Sequence, residues 1–172
     1  LGMENTHFVN CNGLPAEGHV TTARDIALMS RELLKHDQIF AYTTLWMDSV
    51  RDGAFGLTNT NRLIRTYQGM NGLKTGYTTA AGYCLSATAE RDGLSLIAVV
   101  MGAASADARN ADVTAMLNYG FANYQAVTIT TDRPIMPVPV QLGVQGSVLC
   151  QLQSQGPLVM EKSKVGALEK DL

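Results

Sequence analysis

Cysteine, histidine and tryptophan are all scarce in this 172-residue chain, with three, three and one of each. Cys11, Cys84 and Cys150 are odd in number and show no Cys-x-x-Cys spacing, so they give neither a disulfide framework nor a zinc signature. His7, His19 and His36 are scattered without metal-ligand spacing, and no metal and no cofactor are expected. Long apolar runs are missing too, and none approaches the ~20 residues needed to span a bilayer. Positive charge does not gather anywhere. Lys and Arg number 13 against 15 Asp and Glu, and the net charge is −2. With no basic stripe to meet phosphates, no nucleic-acid partner is expected. There is no internal repeat and no visible signal peptide.

What is present reads as a packed protein. Hydrophobic residues make up 46% of the chain, and the mean hydropathy is +0.02. Length alone suggests one domain and a piece of another. Thr22 reads as a helix N-cap with Asp25 as its reciprocal partner. Ile26, Met29, Leu33 and Leu34 then share a face, and Lys35 and His36 are expected to close the last turn. Residues 45–50 and 54–58 are strand candidates around the Arg51-Asp52-Gly53 turn. Residues 83–90 and 94–101 form the clearest hairpin, because Asp92-Gly93 supplies the positive φ angles of a tight turn. The apolar density of 94–101 predicts that this hairpin lies at the sheet centre. A helix over 105–124 follows. Cys84 falls in the alternating strand, which favours a small buried apolar group over a catalytic thiol.

Near residue 126 the helical period stops. Pro134, Pro137, Pro139, Gly143, Gly146 and Gly156-Pro157 punctuate short β-type runs such as 147–152. The chain therefore divides into a first part over 1–125 and part of a small β-rich domain over 126–172, which is short for burying its own faces. The fold class expected is α/β (α+β): an antiparallel sheet with helices on its faces, followed by that partial β domain.

The most informative stretch is Lys74-Thr75-Gly76. It follows Met70-Asn71-Gly72-Leu73, precedes Tyr77-Thr78, and Ala81-Gly82-Tyr83 opens the next strand. A Lys-Thr-Gly triplet on an edge strand is the third signature of serine acyl-transferases acting on D-alanyl peptides or β-lactams. Alone, Lys74 reads as a solvated lysine, Thr75 as an ordinary strand former and Gly76 as a bulge residue. Other blocks stand around the triplet in order: Leu1 to Phe8, Asn12-Gly13-Leu14-Pro15, Thr21 to Asp25, Asn59 to Leu63, and Asn118-Tyr119-Gly120-Phe121. Together they resemble the D-alanyl-D-alanine carboxypeptidases, the low-molecular-mass penicillin-binding proteins, over about residues 1–125. Tyr77 and Asn12 depart from the pattern, since some relatives have histidine at each place.

The resemblance implies the C-terminal half of a penicillin-binding/β-lactamase-like catalytic domain. The family's first two motifs, Ser-x-x-Lys and Ser-x-Asn, occur at none of the serines 30, 49, 86, 95, 105, 147, 154 and 163. The nucleophile is thus expected upstream of Leu1, in a preceding half of the same domain or on a second chain. Lys74, Thr75 and Gly76 are the implied catalytic residues. Thr75, Tyr77, Thr78 and Arg109 are the implied substrate-binding residues. Lys74 would place a cation in the cleft, Thr75 would donate to the substrate carboxylate, Gly76 would let the peptide approach the strand, and Tyr77 N–H would serve the oxyanion hole. Arg109 has two open readings, a surface arginine paired with Asp107 or Asp112, or a carboxylate group behind Thr75. Thr78 either assists Thr75 or holds a turn, Asn61 would tie its loop to the triplet strand, and Asn12 is a minor candidate.

The implied function is removal of the terminal D-alanine from peptidoglycan stem peptides through an acyl-enzyme, with β-lactams as further ligands. Such an enzyme would be exported to the cell envelope and membrane-associated only through a later C-terminal helix. Two alternatives stand beside it: a non-catalytic module that binds cell-wall peptide or a partner protein, and a β-lactamase, against which the β-rich tail counts.

Overall fold

A computed structural model describes residues 1–130, 135–151 and 156–169, and its first regular element begins at the expected cap. Thr22 is extended, and its hydroxyl accepts the Asp25 N–H at 3.1 Å at the head of helix α1 (Ala23–Leu33). The reciprocal half of the box does not form. The Asp25 carboxylate is completely buried and instead accepts the Asn5 N–H at 3.0 Å and the Thr6 hydroxyl at 2.7 Å. Donors from the N-terminal segment take the place of the helix's own backbone. The helix also ends before Lys35 and His36, because i→i+3 bonds from Lys35 N–H to Glu32 O and from His36 N–H to Leu33 O tighten its end.

A 3₁₀ turn (Asp37–Ile39) and helix α2 (Phe40–Thr43) lead to an antiparallel hairpin of β1 (Met47–Val50) and β2 (Phe55–Thr58). The turn residues Arg51, Asp52 and Gly53 all have positive φ, as the hairpin requires. Helix α3 (Leu63–Thr66) precedes the main antiparallel sheet of β3 (Met70–Thr78), β4 (Gly82–Arg91) and β5 (Leu94–Ala103), ordered β3-β4-β5. Asp92 and Gly93, with φ of 50° and 75°, join the last two strands. Helix α4 (Ala106–Asn123) follows.

Directly paired residues share a face of the sheet, and faces alternate along a strand. Leu85, Ala87 and Ala89 pair with Val100, Ala98 and Leu96. They cluster with Leu63, Tyr67 and Met70 and with Val113 and Leu117 of α4 to make the core. A Cβ at Gly120 would collide with Leu96 Cδ1, so the glycine leaves room for that side chain between α4 and β5. Ser86 and Thr88 pair with Val99 and Ile97 on the other face. There the Ser86 hydroxyl lies 2.7 Å from that of Ser30 on α1. Helix, sheet and helix thus form three layers.

The expectation of a central hairpin needs correction. Only β4 is central, because β5, like β3, has one strand neighbour among the described residues. The apolar density of β5 has another cause: its two faces pack toward the α4 core and toward α1. Amide exchange should therefore be slowest in 85–89 of β4. In β5, amides directed away from β4 should exchange faster than those bonded to it. Uniformly slow exchange over 96–100 would contradict a single strand neighbour.

Contacts divide the chain into two units, Leu1–Ala122 and Asn123–Leu172. In the second, β6 (Tyr124–Val127), β7 (Val138–Pro139), β8 (Ser147–Val148) and β9 (Leu158–Glu161) pair as β6 with β9 and β7 with β8. A 3₁₀ segment (Lys162–Ala167) follows β9. The strand expected over 147–152 is regular only at Ser147–Val148, and Leu152, like Pro134, lies outside the described residues.

Candidate active site

Strand β3 carries the triplet along an edge that has no strand partner among the described residues. In its register with β4, Lys74 faces Ser86, Thr75 faces Leu85 and Gly76 faces Cys84. A Cβ at Gly76 would meet no heavy atom within 4 Å, so the backbone there is open to approach. In front of Lys74–Thr78 lies a cleft of about 630 Å³, whose opposite wall is the loop that carries Phe8, Asn10, Asn12 and Leu14.

That wall is shaped by its own side chains. Asn10 Oδ1 accepts the Gly13 N–H at 2.9 Å, and Asn10 Nδ2 donates to Leu14 O at 2.8 Å. Asn12 Oδ1 accepts the Leu14 N–H at 3.2 Å. His19 Nδ1 accepts the Val9 N–H at 3.0 Å, and its ring lies tilted against Phe8 at 5.5 Å. Of this wall, sequence reasoning singled out only Asn12. The Asn10-x-x-Gly13 spacing, a turn signal that the sequence reading passed over, marks the rest of the wall.

A second open cavity of about 440 Å³ lies between α1 and the sheet. Ile26, Met29, Leu33, Val99 and Met101 make it apolar, and the Ser30–Ser86 pair, Lys74 and Cys84 also line it. Cys84 is half-buried and borders both cavities, with its thiol directed to Ala81 O at 3.5 Å. It is therefore not the enclosed apolar group that its strand pattern suggested.

The expected site residues are brought together unevenly. Lys74 is exposed, donates to Thr75 O, and has no carboxylate within 4.0 Å among the described residues. Thr75 Oγ1 lies 2.6 Å from Thr60 Oγ1, a contact that the sequence did not signal. Tyr77 is 58% exposed and stacks on Tyr83 at 4.4 Å. The Thr78 hydroxyl accepts the Ala81 N–H at 3.0 Å, which ties it to the β3–β4 turn. Asn61 is buried and donates from Nδ2 to Gly72 O at 3.3 Å, joining its loop to the triplet strand.

Arg109 corrects one reading. It is only 5% exposed, and neither Asp107 nor Asp112 bridges it. Its Nη1 donates to Cys84 O at 3.4 Å, and Nε and Nη2 donate to Asn110 Oδ1 at 3.2 and 3.0 Å. Burial pushes the guanidinium below its usual value, because removal from water disfavours the charged form. It borders neither cavity and lies against β4.

A Lys-Thr-Gly edge strand, an open cleft before it and helices on both sheet faces define an α+β domain of the penicillin-binding type. The comparisons agree. A family described as D-alanyl-D-alanine carboxypeptidase matches residues 1–105, and the chain belongs to that family. D-alanyl-D-alanine carboxypeptidase DacF of Bacillus subtilis is 44% identical over 149 residues, covering 84% of this chain and 38% of its own length. Penicillin-binding protein D2 of Listeria monocytogenes, solved in its cefotaxime-bound form, has TM-score 0.63 and 38% identity, covering 67% of this chain and 48% of that one. Penicillin-binding protein 5 of Haemophilus influenzae has TM-score 0.74 and 25% identity, covering 96% of this chain and 48% of its own. The chain thus spans about half or less of the relatives that it matches.

Proposed function

We propose that this chain is the substrate-holding part of a serine-type D-Ala-D-Ala carboxypeptidase that acts on peptidoglycan stem peptides and is acylated by β-lactams. One observation carries the reading: the edge of β3 that has no strand partner among the described residues presents Lys74, Thr75 and Gly76 to an open cleft. A peptide added along that edge would pair with the strand backbone and pass over Gly76. A serine hydroxyl from an upstream portion then attacks the carbonyl carbon of the penultimate residue. The peptide bond breaks, the terminal D-alanine leaves with a proton on its nitrogen, and water later hydrolyses the ester. Lys74 contributes a cation beside the reacting centre, and Tyr77 N–H contributes to the oxyanion hole. Thr75 receives the terminal carboxylate, with Arg109 adding positive charge from behind β4. Such a protein works outside the cytoplasm, in the cell envelope. No helix among the described residues is long and apolar enough to cross a membrane.

The partner in this reading is the nucleophile-bearing half of the domain. Its docking is supported by the outer edge of β5, which has no strand partner among the described residues, and by the apolar cavity beneath α1, where Met29 and Leu33 are 37% and 40% exposed. The test is covalent labelling with fluorescent penicillin. The 172-residue chain alone should not label, because no serine in it has lysine three residues on. The chain joined behind the upstream portion of the Bacillus relative, hereafter the reconstituted enzyme, should label and release D-alanine. Labelling of the chain alone would overturn the placement of the nucleophile. A folded reconstituted enzyme that binds cell-wall peptide without labelling or turnover would make the chain a binding module.

A further inference from the structure

Thr60 has no place in the chemistry assigned so far, yet its hydroxyl is held against that of Thr75. The two oxygens are 2.6 Å apart, and neither hydroxyl has another hydrogen-bond partner among the described residues. A hydroxyl carries one proton and two acceptor lone pairs, whereas an ionised carboxylate only accepts. The direction of the Thr60–Thr75 bond therefore decides whether Thr75 can receive an anion. If Thr75 donates to Thr60, it turns lone pairs toward the carboxylate. If Thr60 donates, the Thr75 proton is free to point into the cleft.

The turn that carries Thr60 is fixed from both sides. Asn59 Nδ2 donates to Thr43 O and Leu45 O at 3.1 and 2.8 Å, and Asn59 N–H donates to Trp46 O at 2.8 Å. Asn59 Oδ1 accepts the Asn61 N–H at 2.9 Å, and Asn61, 2% exposed, is bonded to Gly72 O on the triplet strand itself. Thr60 is thus clamped between two asparagines whose bonds reach α2 and β3. Its hydroxyl cannot leave Thr75 by a loop movement without breaking them.

We propose that Thr60 is a positioning residue for carboxylate recognition: it donates its proton to Thr75, so that Thr75 donates to the substrate's terminal carboxylate. This rests on the proposed reading of Thr75. Hydrogen bonds in such a chain polarise one another, so the anion strengthens the bond behind the one it receives.

The experiment compares Thr60→Val, Thr60→Ala, Thr60→Ser and Thr75→Val in the reconstituted enzyme. Each is assayed on a D-Ala-D-Ala peptide and on its C-terminal amide. Thr60→Val and Thr60→Ala should lower kcat/KM for the free acid about 2- to 12-fold, the worth of one neutral hydrogen bond. The loss should fall mainly in KM and shrink for the amide, whose neutral carbonyl is the weaker acceptor, and Thr60→Ser should restore wild-type values. Thr75→Val should show the same preference with a larger loss. If Thr75→Val separates acid from amide and the Thr60 variants do not, the Thr60 proposal is overturned while the carboxylate reading stands. If the Thr60 variants depress both substrates equally and lower the melting temperature, Thr60 is only structural and the proposal is again overturned. If Thr75→Val itself fails to separate them, the carboxylate reading falls and the proposal with it.

Discussion

Lys74→Ala in the reconstituted enzyme is expected to lower acylation by peptide and by penicillin alike, by about 10²–10³-fold, the scale of one preorganised electrostatic contribution. Lys74 is exposed, borders both cavities and has no carboxylate within 4.0 Å among the described residues to neutralise it. An ammonium so placed acts on whatever negative charge develops in the cleft. Its removal should therefore affect the reaction with either substrate, unlike the Thr60 changes, which concern one carboxylate. Stopped-flow labelling with fluorescent penicillin and D-alanine release would read the two arms. Wild-type rates in both would remove the triplet from the reaction and take the main support from the functional reading. Equal melting temperatures of variant and parent would show that lost structure is not the cause, as expected for a side chain whose one hydrogen bond among the described residues is to its neighbour's carbonyl.

The second large effect concerns stability. Leu117 is 1% exposed in the middle of α4, in the cluster with Val113, Leu85, Ala87 and Ala98. Two of those neighbours are alanines, already short, so they can do little to refill the space that a deleted leucine leaves. Leu117→Ala should cost about 2–5 kcal/mol, as buried leucine truncations do. Urea unfolding of the reconstituted enzyme would measure it as a lower midpoint with an unchanged slope. Met116, on the same helix but 43% exposed, is the control, and Met116→Ala should shift the midpoint much less. Comparable losses at the two positions would mean that α4 does not pack on the sheet through Leu117.

Much of this organisation was legible because short-range chemistry fixed it. The Thr22 cap, the Asp92-Gly93 turn and the period of Val113 and Leu117 are local signals, and each stands in the structure. What the residues hid was long-range. Asp25 looked like its helix's own partner, but two donors some 20 residues earlier claim it. Residues 94–101 looked like a central strand, because burial by helices on two faces leaves the same apolar pattern as burial between strands. Arg109 looked equally suited to the surface, since nothing in its neighbours in sequence reveals that its guanidinium packs against Cys84 O. The Thr60–Thr75 contact spans 15 residues and has no periodic signature at all.

The wall that faces the triplet is built unlike the strand that it faces. Reciprocal backbone bonds between His7 and Val20, at 2.9 and 3.0 Å, close its two ends, and Asp25 tethers the residues just before it. Everything from Phe8 to His19 hangs outside that clasp and holds its shape through Asn10, Asn12 and His19. The cleft thus has one side locked into the sheet and one side with its own fastening. A lineage could rewrite residues 8–14, and with them the width and polarity of the opening, without disturbing the register of a single strand pair.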